Sequence, residues 1–261
     1  MIAASTGNHG QSVAYAARLF HTTAIICAPE NANPVKVAAM EELGAEVVQS
    51  GATFDDAREN AERLAAEHGY RYIHSGDEPL LIAGVATHTL EILQAEPGIE
   101  VIIVPIGGGS GAAGACIAAA AINPRIEVIG VQSEQAQAAY LTWRTKTPTS
   151  SPNLTTTEGL STGSPFELPQ RILQQHLADF ITVSDQAVDH STRLMIEKTR
   201  TLVEGAGAAA LAAALQLSSR LNNKKVALIA SGGNISPAQL LALLQPQLQP
   251  QPQPQPHHPR G

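Results

Sequence analysis

The chain has 261 residues, 44% hydrophobic and 15% charged, with a formal net charge of -7 at neutral pH. That length suits one large domain or two lobes, and the acidic balance excludes nucleic acid or an anionic membrane as a main partner. Aromatics make up only 3%, too few for a base-stacking platform, and the isolated Cys27 and Cys116 show neither disulfide nor zinc spacing.

Met1 to Ala4 reads as the end of a strand. The polar turn Ser5-Thr-Gly-Asn-His-Gly-Gln11 follows, then a helix from Ser12 to Phe20. Ala24 to Cys27 is a strand. Pro34 opens a helix to Leu43, because proline suits a first helical turn, and Gly44 closes it. Glu46 to Gln49 is a strand, Phe54 to His68 an amphipathic helix with Gly69 beyond its end, and Tyr70 to His74 a short strand. Leu81 to Ala95 is the next helix. Val101 to Val104, β-branched and continuously apolar, is a buried parallel strand.

After the glycine-rich turn Gly107-Gly-Gly-Ser-Gly111, an Ala-rich helix runs from Ala112 to Ile122. Glu127 to Val131 is a strand, Gln135 to Arg144 a helix, and Thr145 to Thr157 an exposed connection rich in Thr, Ser and Pro. Pro165 to Gln175 is a helix and Phe180 to Val183 a strand. Ser184-Asp185 caps a long helix ending at Gly205, and Gly207 to Leu221 is another. Lys225 to Ala230 is a strand, Ser231-Gly-Gly-Asn234 a turn, and Pro237 to Leu244 the last helix. Strands alternating with helices predict an α/β fold with parallel sheets, in lobes 1–76 and 77–245. The Gln-Pro repeats of 246–261 predict a disordered tail.

Four glycines among Gly107 to Gly111 remove Cβ atoms where the backbone bends, and the helix behind them aims its N–H groups at the turn. This makes an anion site, phosphate being the usual occupant; a tight turn that binds nothing is the alternative. Gly109 to Gly114 also spells G-x-G-x-x-G after a strand, and Glu134 lies where a dinucleotide site places its ribose-binding acid. A NAD-dependent oxidoreductase is therefore an open reading. Three polar, glycine-containing turns, at Ser5 to Gly10, Gly107 to Gly111 and Ser231 to Asn234, sit at the carboxyl ends of strands, where open parallel sheets bind ligands.

In that order, these turns resemble the marks of fold-type II pyridoxal-phosphate enzymes, the threonine/serine dehydratase and serine racemase group. Asn33-Pro-Val-Lys-Val-Ala-Ala-Met40, Ile82-Ala-Gly84, Glu158-Gly-Leu160 and Val203-Glu-Gly-Ala-Gly207 agree with it. The resemblance implies the two-lobed, tryptophan synthase beta-like architecture with parallel sheets. It implies pyridoxal phosphate, with Gly107, Gly108, Gly109 and Ser110 on its phosphate, Asn8 on its phenolic oxygen, Ser231 on its pyridine nitrogen and Glu204 near it. Read on its own, Glu204 is a solvated carboxylate at a helix end. Ser5 and Thr6 would face the substrate carboxylate in catalysis. The implied reaction is β-elimination from L-threonine or L-serine to a 2-oxo acid and ammonia, by a homodimer acting on a small amino acid; no signal peptide is visible in the sequence, which reads as cytoplasmic.

Departures from the family pattern carry their own expectations. The family's Schiff-base lysine lies upstream of the Ser5 turn, so the resemblance implies a chain missing the N-terminal segment, with that lysine absent; an inactive fragment is the alternative. Lys36, Lys146, Lys198, Lys224 and Lys225 are expected to lie outside the three turns. Gln132 and Ala138 stand where metal-dependent racemases carry acidic ligands, so no metal site is expected. Thr6 stands where racemases carry serine, which favours elimination over racemisation.

Overall fold

Short β-branched runs become parallel strands when helices cover both faces of the sheet. In the computed structural model, which describes residues 1–245, this happens twice. The first sheet has the order β1-β2-β3, all parallel, from β1 (Ile2–Ala4), β2 (Ile25–Ala28) and β3 (Glu46–Gln49). Helices α1 (Asn8–Leu19), α2 (Pro34–Glu42) and α3 (Phe54–His68) accompany it. The predicted strand at Tyr70 to His74 is a single parallel bridge between Ile2 and Tyr72.

The second sheet has the order β6-β5-β4-β7, also all parallel. Its elements in chain order are α4 (Pro79–Ala95), β4 (Val101–Pro105), α5 (Ser110–Ile122), β5 (Glu127–Ser133) and α6 (Ala138–Thr145). Then come α7 (Glu167–His176), β6 (Asp179–Val183), α8 (Asp185–Leu194), α9 (Gly205–Gln216), α10 (Ser218–Leu221), β7 (Val226–Leu228) and α11 (Pro237–Leu244). Strand alternation divides the core. Ile102 and Val104 join one apolar cluster with α5 and α7, and Val101 and Ile103 join the other with α9. The helix after β4 is Ala-rich because α5 packs closely on α4: a Cβ at Gly114 would stand 2.8 Å from the backbone nitrogen of Ala86.

One predicted helix is interrupted. The segment from Ser184 does not continue to Gly205: α8 stops at Leu194, and a π-helical turn over Met195–Thr199 follows. Arg200 then takes φ 59°, the left-handed conformation that ends a helix, and its N–H returns to the Met195 carbonyl. The β-branched Thr199, Thr201 and Val203 favour this break over a continuous helix. Residues 201–204 run without helical structure to the start of α9. The tail 246–261, read as disordered from the sequence, lies outside the described residues.

Candidate functional site

The three turns leave the carboxyl ends of β1, β4 and β7, the edges at which parallel sheets expose unpaired backbone. The first is shorter than the sequence suggests, because α1 already begins at Asn8. Ser5, 5% exposed, braces it: its Oγ accepts the N–H groups of Gly7 (3.0 Å) and Gly10 (2.8 Å). Gly7 is small because the stem of Lys36 lies against it, and a Cβ there would come 2.8 Å from Lys36 Cδ. Thr6 is half-buried beside it.

Asn8 crosses from the first sheet's elements to the second's. Its Nδ2 donates to Glu204 Oε1 at 2.5 Å, and its Oδ1 accepts from Asn234 Nδ2. Asn234 also donates to Gln11 Oε1 at 3.2 Å. The Glu204 N–H donates to the Gly232 carbonyl at 3.1 Å, and a Cβ on Gly232 would run into the Glu204 carboxylate. The first turn, the 231–234 turn and the N-terminus of α9 therefore meet at one point. Glu204 is the N-cap of α9 and only 6% exposed, which corrects its reading as a solvated carboxylate. Ser231 is exposed beside this junction.

The glycine loop joins through Gly159. A Cβ at Gly107 would stand 2.5 Å from the Gly159 carbonyl, and one at Gly159 would stand 2.6 Å from Ala206 Cβ on α9. Gly109 has φ +94°, a conformation costly for other residues, and caps α5 through its backbone alone. No side chain caps α5, so its first-turn N–H groups, with Ser110 leading them, can receive an anion. Phe166 roofs this loop: Cβ atoms on Gly108 and Gly76 would both run into its ring. That ring also meets His74 edge-on, with centroids 4.8 Å apart. Asp77 Oδ1 accepts the Leu168 N–H at 2.8 Å, which ties the segment before α4 to the start of α7.

Lys36 corrects a sequence expectation. It does not lie outside the turns: it is 5% exposed, and its Nζ donates to Glu158 Oε2 at 2.5 Å and to Glu204 Oε2 at 3.4 Å. The far oxygen of Glu158 accepts from Gln239 Nε2 at 3.0 Å. A cavity of about 270 Å³ opens beside this cluster, lined by Lys36, Glu158, Asp189, Arg193, Glu204 and Gln239 among others. Lys36 and Glu158 were missed as site residues because they are 122 positions apart in the chain. A signal was present: Lys36 shares a helical face with Val37 and the fully buried Met40. A lysine on an apolar face needs a partner.

The dinucleotide reading of Gly109 to Gly114 loses its support. Gly114 serves the α4–α5 contact, and Glu134 stands exposed beyond β5. At the positions of the acidic metal ligands, Gln132 is fully buried with its Oε1 accepting the Tyr140 N–H, and Ala138 is fully buried in α6.

Two parallel sheets joined by polar turns at their carboxyl ends, with an uncapped glycine-loop helix, define the fold-type II architecture of pyridoxal-phosphate enzymes. Residues 1–232 match the family model described as "Pyridoxal-phosphate dependent enzyme", and the chain belongs to that family. It is 34% identical over 238 residues to an L-threonine ammonia-lyase of Thermotoga maritima, a match that covers 90% of this chain and 59% of that relative. Its fold is similar to the processed form of threonine deaminase isoform 2 from Solanum lycopersicum, with TM-score 0.88 and 29% identity over 94% of this chain and 72% of that one. It is also similar to a maize serine racemase, with TM-score 0.86 and 30% identity over 93% and 75%. No helix among the described residues is long and apolar enough to cross a membrane.

Proposed function

We propose that the chain carries the cofactor-holding and substrate-facing turns of an enzyme that deaminates L-threonine or L-serine to a 2-oxo acid and ammonia. The observation that carries this reading is the meeting of Asn8, Glu204 and the 231–234 turn beside a glycine loop that opens an uncapped helix. The donor set fits the cofactor. The N–H groups around Gly107, Gly108, Gly109 and Ser110 would hold its phosphate against the positive end of α5. One Asn8 N–H is engaged by Glu204, and the second would donate to the ring's phenolic oxygen. Ser231 would face the ring nitrogen, where a hydroxyl leaves it unprotonated.

When bound, pyridoxal phosphate supplies the conjugated ring that takes up the electron pair released at the substrate α-carbon. Thr6 would receive the substrate carboxylate, on the turn that the buried Ser5 braces. Proton removal is assigned to a lysine that the family carries upstream of the Ser5 turn. Lys36, engaged by two carboxylates, is not given that role. The lobes 1–76 and 77–245, a homodimer and a cytoplasmic setting complete the proposal.

The test begins with binding. Pyridoxal phosphate should bind the chain and be displaced by inorganic phosphate, and Gly109→Val should abolish this. Release of 2-oxo acid from L-threonine and L-serine is then measured on the form that includes any in-frame upstream segment. Racemisation outpacing elimination, or strict dependence on magnesium, would count against it.

A further inference from the structure

We propose that Lys36 is a positioning residue: through Glu204 it fixes the side-chain amide of Asn8 and ties the two sheets together across the site. The part of this that concerns the cofactor rests on the reading above; the part that concerns Asn8 does not.

A carboxylate only accepts, so the atom of Asn8 facing Glu204 is the amide nitrogen, and the oxygen must face the donor of Asn234. Glu204 thus decides which way the Asn8 amide points. Glu204 is itself held on both oxygens, by Asn8 on one and by Lys36 on the other. Lys36 comes from α2, beside the first sheet, and Glu204 and Glu158 come from elements of the second. One ammonium therefore stands between two carboxylates across the junction. Without it, the buried Glu204 carboxylate would face the half-buried Glu158 carboxylate with no cation between them. The Lys36 stem is laid along Gly7, the residue just before Asn8, so the same side chain touches the backbone that carries Asn8 and the carboxylate that orients it.

The test uses the 261-residue chain. The side-chain amide signals of Asn8 are located by nuclear magnetic resonance as those lost in Asn8→Ala. Lys36→Met risks unfolding, so Lys36→Met/Glu158→Gln, which keeps the cluster's net charge, is measured beside it. In the double variant the Asn8 amide should exchange its protons with solvent at least tenfold faster, while the backbone protection of β4 stays unchanged. Lys36→Arg, which keeps the charge, should preserve the parent's exchange rate.

With pyridoxal phosphate added, the pH at which the bound ring's phenol ionises should rise by about one unit in Asn8→Ala and in the double variant alike. Displacement by inorganic phosphate should be unchanged, because the glycine loop is untouched. Combining the double variant with Asn8→Ala should add nothing further. An Asn8 amide that exchanges as slowly in the double variant as in the parent would overturn the proposal, as would additive shifts of the phenol. If the parent chain binds no pyridoxal phosphate while the amide still responds to Lys36, the positioning role stands and the proposed function fails.

Discussion

Glu204 and Asn8 stand 196 positions apart in the chain, yet their side chains share a hydrogen bond of 2.5 Å, and both belong to the junction between the two sheets. Glu204 caps α9 through its backbone while its carboxylate serves Asn8 and Lys36. Removing it leaves Lys36 with one carboxylate partner and takes one acceptor from Asn8. Glu204→Ala should therefore cost about 2–4 kcal/mol of stability, the scale for breaking a buried ion pair. Urea unfolding checks this, and a loss below about 0.5 kcal/mol, the level of an ordinary surface change, would show the cluster to be solvated.

Two glycines in the second unit should respond to alanine with opposite signs. Gly84 lies inside α4, exposed, with nothing near the position of an added Cβ. Gly84→Ala should stabilise by about 0.5–1 kcal/mol, because alanine has less backbone freedom to lose. Gly109 at φ +94° sits 3.1 Å, measured from its Cβ position, from Pro169 Cβ. Gly109→Ala should destabilise by about 1–2 kcal/mol. Melting temperatures of the two variants, compared with the parent, decide it.

Acid should weaken the fold through two histidines. His74 Nδ1 accepts the N–H groups of Gly76 (3.0 Å) and Asp77 (2.8 Å), a role open only to an unprotonated nitrogen. Burial lowers its pKa, with Asp77 opposing. Burial also lowers that of His9, whose Nε2 lies 3.0 Å from the Ile73 carbonyl. The folded state thus favours the neutral rings, whereas the unfolded chain takes up protons near pH 6.5. The histidine contribution is complete above about pH 6.5 and is lost as pH falls from there toward the lower folded values. Unfolding free energies between pH 5 and 8, roughly the range in which histidine titrates, should show this slope, and His74→Gln should flatten it.

Both cysteines should be inert in the native state. Cys27 and Cys116 are buried, and burial pushes both thiols up, Cys116 to about 12. Little thiolate is present at pH 8, a pH near the pKa of a free thiol. Alkylation of the folded chain by iodoacetamide should be at least tenfold slower than that of the urea-unfolded chain. Rapid native labelling of Cys116 would mean that α5 opens far more readily than its packing implies.

What could be read in the sequence was local. The strand at Val101 to Val104 and the glycine turn after it carry their own signals, in β-branching and in missing side chains. The order of the three turns carried the family. Pairings that depend on tertiary packing were hidden. Glu204 looks like a helix-end carboxylate until α9 starts one residue later and Gly232 closes over it. The break at Arg200 was hard to place, because arginine carries no preference for the left-handed region and the β-branched Thr199, Thr201 and Val203 only weaken the helix around it.

The ring of Phe166 has an evolutionary consequence. Gly76 and Gly108 lie 32 positions apart, and a side chain at either would have to displace that one ring. The three positions should therefore change together. A mutation that enlarges either glycine is harmful while the phenyl group is present, and becomes tolerable once position 166 has shrunk. Drift at this corner should therefore proceed in an obligatory order, with Phe166 changing first. An ancestor that had replaced it could then accumulate alanine at both glycines, after which a return to phenylalanine would be blocked.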